Sequence, residues 1–91
     1  MKRSIIFSNR FKKEYGLMIK RGKDIKKLKK VIEMLENFEI LPLRLKDHNL
    51  VGDYSASREL HIEPDWLLIY QISKNELILE RTGTHADLFK K

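Results

Sequence analysis

The sequence predicts an α+β fold: an N-terminal strand, a two-helix hairpin, a three-stranded antiparallel meander completing a four-stranded sheet, and a short C-terminal turn. Three observations predict it. A β-branched and aromatic run opens the chain in "KRSIIFS". Apolar residues then recur at helical spacing in two consecutive segments broken at Gly22. Beyond Pro42, three apolar runs are separated by turn residues. At 91 residues, with 42% hydrophobic and 35% charged residues, the chain is expected to form one compact domain, 1–91.

The elements follow in order. Lys2 to Ser8 has the length and chemistry of a strand. From Asn9 onward, Phe11, Tyr15, Met18 and Ile19 fall on one helical stripe, with Ser8 or Asn9 as the N-cap. Gly22 stops that helix and Asp24 caps the next, so the two form an αα-hairpin. Ile25, Leu28, Val31, Ile32 and Leu35 line one face of the second helix, while Lys26, Lys27, Lys29 and Lys30 crowd the others. Proline disfavours helical geometry in the residue before it, so the helix should end by "EILPLRL" and a loop should run from Pro42 to Asp53. "SRELHIE" alternates, with Arg58, Leu60 and Ile62 on one face and Glu59, His61 and Glu63 on the other. Trp66 to Ile72 is apolar on both faces, as a central strand is. "SKNE" supplies a turn, and Leu77 to Thr84 forms the last strand, ending at Gly83.

Charge narrows the class of partner. Lys and Arg outnumber Asp and Glu by 19 to 13, a net charge of +6, which favours a polyanion or an acidic protein. With no cysteine, disulfides, thiolate metal sites and thiol nucleophiles drop out, and a reducing cytoplasm suits the chain. No apolar run reaches the roughly 20 residues that span a bilayer, and the N-terminus is too short in apolar residues for a signal peptide, so no membrane partner is expected.

A meander brings the end of its first strand, the start of its second and the end of its third to one sheet edge. Those positions hold His61, Asp65 with Trp66, and Thr84 with His85, joined across the "EPD" turn. Such a set suits acid/base cleavage of RNA: one group takes the 2′-hydroxyl proton, another protonates the departing 5′-oxygen, and a third steadies the phosphoryl oxygens. Arg58 and Arg81 are available as fixed cations. The reaction needs no cofactor or metal, and positions 48, 61 and 85 match no compact zinc motif. Plainer readings stand beside these. A histidine at a strand end is commonly a solvated side chain, a tryptophan beside a proline turn is commonly a core aromatic, and a lysine run is a solvated helix face as readily as a phosphate-contacting one. Topology does not place His48.

Taken together, "KDHNLVGDY", "RELHIEPDWLLIY" and "ERTGTHADLF" resemble the signature segments of the YafQ-type branch of the RelE/ParE superfamily of bacterial toxins, and the likeness runs over almost the whole chain. The resemblance implies a RelE/ParE-like fold and a ribosome-dependent mRNA endonuclease that cuts in the decoding site and is neutralised by a cognate antitoxin. It implies the 70S ribosome and mRNA as partners, and operator DNA for the toxin–antitoxin complex. By the same resemblance the catalytic residues match His48, His61, Asp65 and His85, and the RNA-stacking aromatics match Trp66 and Phe89. His85 is expected as general acid, His48 or Asp65 as general base, and His61 as orienting group or phosphate contact. Arg81 adds positive charge, and Lys26, Lys27, Lys29 and Lys30 are expected to meet ribosomal RNA. The alternatives are a ParE-like toxin that acts on gyrase by protein contact, which lacks a histidine and carboxylate cluster, and a plain RNA-binding module, which would bind without cutting.

Overall fold

Each helix begins where the sequence offers a side-chain acceptor. Ser8 Oγ accepts from the Phe11 N–H and Asp24 accepts from the Lys26 N–H, each satisfying an otherwise unpaired amide of the first turn. The computed structural model describes residues 1–52 and 56–89. Its elements are β1 (Ser4–Phe7), α1 (Asn9–Lys20), α2 (Ile25–Glu36), a 3-10 turn (Leu43–Leu45), β2 (His48–Asn49), β3 (Arg58–Glu63), β4 (Trp66–Ile72), β5 (Glu76–Gly83) and α3 (His85–Phe89). Gly22, at φ 79°, carries the left-handed turn that separates α1 from α2.

Among the described residues the sheet has five strands in the order β1-β5-β4-β3-β2. This corrects the expected four. β3, β4 and β5 pair antiparallel in sequence order, and β1 joins the far side of β5 in parallel, so the sheet is mixed. The added strand, β2, lies in the expected loop and pairs His48 with Glu59 and Asn49 with Arg58. Two polar residues carry no readable period, which is why pattern alone predicts a loop there. That loop's expected end, Asp53, lies outside the described residues. The expected C-terminal turn is a short helix, α3.

Alternation along the strands sorts the sheet into two faces. On one, Leu60, Ile62, Trp66, Leu68, Tyr70, Leu77 and Leu79 meet Phe11, Met18, Leu28, Val31 and Leu35 from α1 and α2. Ile19, expected on the inner stripe of α1, is 52% exposed. On the other face Leu67 and Ile69 meet Leu88 of α3, with Leu50 and Phe89 at the margin. This smaller cluster holds α3, and therefore His85, against the open side of the sheet. Among the described residues, no helix is long and apolar enough to cross a membrane.

Candidate active site

Leu60 and Ile62 turn toward the helices, so the intervening Glu59 and His61 stand on the opposite face of β3. Pairing of His48 with Glu59 carries His48 to that same face. His85, the first residue of α3, arrives from the end of β5. The ring centroids of His48 and His61 are 6.3 Å apart, and those of His61 and His85 are 5.7 Å apart. Three imidazoles thus form one row with His61 in the middle.

Each outer ring is anchored through Nδ1. His48 Nδ1 lies 2.6 Å from the Lys46 carbonyl oxygen, and a carbonyl can only accept, so Nδ1 carries the hydrogen and Nε2 is left for chemistry. Lys46 holds a left-handed backbone conformation, φ 50°, which turns its carbonyl back toward that ring. His85 Nδ1 donates to Asp65 Oδ1 at 2.6 Å, and the His85 backbone N–H donates to the same oxygen at 2.9 Å. Those two bonds, the backbone one first, hold the Asp65 carboxyl below its ordinary range. His61 Nδ1 lies 3.3 Å from the Pro64 carbonyl, across the turn that presents Asp65.

The helix bearing His85 is fixed from its base. Thr84 N–H donates to Asp87 Oδ2 at 2.9 Å and Asp87 N–H donates to Thr84 Oγ1 at 3.1 Å, the reciprocal arrangement of a capping box. Arg21, at the end of α1, grips the Asp87 carboxylate with both guanidinium nitrogens, at 2.6 and 3.1 Å. The Arg21 guanidinium, helped by the Thr84 backbone and hydroxyl, draws the Asp87 carboxyl down to about 2. Gly83 makes this possible: a Cβ there would stand 3.0 Å from both Asp87 Cβ and Asp87 Oδ2.

Glu59 is the functional candidate that the sequence pattern left unmarked. It is 5% exposed as a residue, and its Oε1 lies 3.4 Å from His48 Nε2 and 3.6 Å from His61 Nε2. One buried oxygen therefore serves two rings. A signal for it exists, since the i, i+2 spacing already puts Glu59 and His61 on one strand face.

Several expected site residues lie elsewhere. Trp66 is fully buried among the helix-face residues and its Nε1 donates to Thr82 Oγ1 at 2.9 Å, so it cannot stack on RNA as expected. Arg58 shares the helix face with Tyr70, its pairing partner, and its guanidinium is bound to Asp47 and Asn49. It is not a cation beside His61, because residues three apart on a strand face opposite ways. Arg81 is engaged by Glu14 at 2.6 Å and by the Leu88 carbonyl at 3.3 Å, which commits its charge to joining β5, α1 and α3. Phe89 is half-buried at the margin of the smaller cluster, on the site's own face. Lys26, Lys27, Lys29 and Lys30 are exposed on α2, with Lys27 paired to Glu63 at 2.9 Å. Among the described residues no group of three or more His, Cys, Asp or Glu is arranged to hold a metal ion.

Residues 3–90 match the family model described as the bacterial toxin of type II toxin–antitoxin system, YafQ. The chain is 44% identical over 90 residues, 98% of each chain, to the mRNA interferase toxin YafQ of Escherichia coli K12. The E. coli DinJ–YafQ toxin–antitoxin complex contains a chain of 44% identity that superposes with a TM-score of 0.90 over 98% of this chain and 99% of that one. A metal-bound toxin from Helicobacter pylori is 42% identical with a TM-score of 0.89, over 96% and 99% of the two chains. A match of this extent and identity, on a fold whose open sheet face carries the histidine row, places the chain in the YafQ family of type II toxin–antitoxin toxins.

Proposed function

We propose that this chain is a cytoplasmic mRNA interferase, an endoribonuclease that cuts mRNA in the decoding site of the ribosome by metal-independent acid/base chemistry. The observation that carries the proposal is the row of three imidazoles in which the outer two are each held through Nδ1 and present Nε2. His48 Nε2 takes the proton of the 2′-hydroxyl, and the 2′-oxygen attacks the adjacent phosphorus. The bond from phosphorus to the 5′-oxygen breaks, leaving a 2′,3′-cyclic phosphate, and His85 Nε2 delivers the proton that the 5′-oxygen needs. His61, between them, steadies the phosphoryl oxygens. Glu59 stands where the proton gained at His48 Nε2 finds an acceptor.

Asp65 belongs to His85 in this scheme. A carboxylate engaged by two donors and held below its ordinary range is a weak base, so positioning the imidazolium is its role and the first proton goes to His48. The exposed lysines of α2 and the nearby Arg44 and Lys46 supply sequence-independent attraction to ribosomal RNA and mRNA. Phe89 stacks on a base. A cognate antitoxin, as in the DinJ–YafQ complex, restrains the enzyme, and the pair binds operator DNA.

The test is a purified translation reaction, run with and without ribosomes and with and without a chelator, in which mRNA ends are mapped for wild type and for His85→Ala. Cleavage that requires the ribosome and His85 and survives chelation is expected. Binding with no cut product would overturn the enzymatic reading in favour of a binding module.

A further inference from the structure

Arg58 reaches both sequence neighbours of the proposed general base from the far side of the sheet. Its Nε and Nη2 donate to Asp47 Oδ2 at 3.2 and 2.5 Å, and its Nη1 donates to Asn49 Oδ1 at 2.6 Å. Asp47 and Asn49 flank His48 in sequence, and alternation sends their side chains to the helix face while His48 projects from the other. Tyr70, buried and paired with Arg58 on the neighbouring strand, donates its hydroxyl to Asp47 Oδ1. Burial, with the Asp47 carboxylate second, pushes the Tyr70 phenol up, so it remains a donor across the working pH range.

A strand as short as β2 needs such a device. It has two residues, both exposed, at the edge of the sheet, and among the described residues its ladder reaches β3 through His48–Glu59, Asn49–Arg58 and the Leu50 amide on the Ser57 carbonyl. Edge pairs of that length are marginal on backbone bonds alone. A planar guanidinium fork supplies two fixed points, one on each side of His48, where a lysine ammonium could supply one.

We propose that Arg58, with Asp47, Asn49 and Tyr70, is a positioning clamp that sets the height and orientation of the His48 ring through the sheet without touching RNA. The proposal rests on the assignment of His48 as general base. Its consequence is confined to the chemical step: the clamp is remote from the substrate face, so its removal shifts His48 Nε2 relative to the 2′-hydroxyl and leaves RNA binding intact.

The experiment compares Arg58→Met, Arg58→Lys, Asn49→Ala and His48→Ala with wild type in ribosome-dependent cleavage, separating kcat from KM. Thermal melts and NMR of the His48, His61 and His85 ring protons accompany it. Arg58→Met is expected to lower kcat about tenfold or more with KM within about twofold, because a small displacement of a catalytic group is that costly. The His48 ring resonances move while those of His85 stay, and Arg58→Lys recovers only part of the activity. Asn49→Ala, an exposed truncation that removes one tooth of the clamp, shows the same pattern in smaller measure and answers the question if Arg58→Met fails to fold. A wild-type kcat and unmoved His48 resonances in the folded variants would overturn the clamp, as would an effect confined to KM. His48→Ala at the wild-type rate would instead overturn the general-base assignment itself, so the two failures are distinct.

Discussion

Asp65 and His85, twenty residues apart, meet at a single oxygen: Asp65 Oδ1 accepts both the backbone N–H of His85, at 2.9 Å, and its ring Nδ1–H, at 2.6 Å. One bond starts the helix and the other orients the imidazole. The turn "EPD" and the end of β5 are thereby locked to each other at the lip of the site.

Replacing Asp65 by Asn separates those two functions. The amide oxygen can still accept the backbone N–H, so α3 should stay folded and the melting temperature should hold. The charge that steadies a protonated His85 disappears, so kcat should fall on the order of a hundredfold with little change in KM. Parallel melts and cleavage kinetics check this.

The Arg21–Asp87 clamp should survive deep into acid. Asp87 is depressed from its ordinary 3.8 to about 2, so its contribution is fully present above pH 4 and disappears as pH falls through about 2. Asp87→Ala should cost about 2 kcal/mol at neutral pH, the linkage value of a carboxyl drawn from 3.8 down to about 2. The difference from wild type should shrink toward zero as unfolding is measured at progressively lower pH.

Trp66 should behave as a core residue. Trp66→Ala should destabilise the chain by about 3–5 kcal/mol, as expected for an emptied aromatic site. Thr82→Val, which strands the buried indole N–H, should cost about 1–3 kcal/mol. Trp66→Phe, once folded, should cleave RNA near the wild-type rate. A selective drop in RNA affinity in a stable Trp66→Phe variant would restore the stacking role.

Lysines on α2 should act through charge alone. Lys26→Gln and Lys29→Gln should raise KM for the ribosome-bound reaction and leave kcat unchanged. Each should flatten the dependence of log affinity on log salt by about one unit if its ammonium sits on an RNA phosphate. Lys27, tied to Glu63, should contribute less.

The gathering of His61, Asp65 and His85 was legible in the sequence because strand order and turn length dictate it. The faces of β3 were legible from Arg58 to Ile62, but not at Glu63, which a register shift after His61 pairs with Trp66 and brings to Lys27 of α2. The alternation that puts Arg58 with Leu60 and Ile62 already sets it opposite His61, and Trp66 shares parity with Leu68 and Tyr70 on β4. His48 was beyond pattern, because β2 is two polar residues held by Glu59 and Arg58 from a different strand. Equally unreadable was the capture of Arg81 by Glu14, a bond across 67 positions. Local sequence offers no sign of which cation a distant helix will claim.

Division of labour between His48 and His85 is tested most directly by changing the leaving group. Replacing the 5′-bridging oxygen at the scissile phosphate with sulfur gives a departing thiolate that needs no proton, so the general acid becomes dispensable while the general base does not. The expected result is that His85→Ala cleaves the sulfur-substituted mRNA at close to the wild-type rate on the ribosome, and His48→Ala stays slow on both substrates. Equal impairment of His85→Ala on the oxygen and sulfur substrates would contradict the assignment of His85 as the acid.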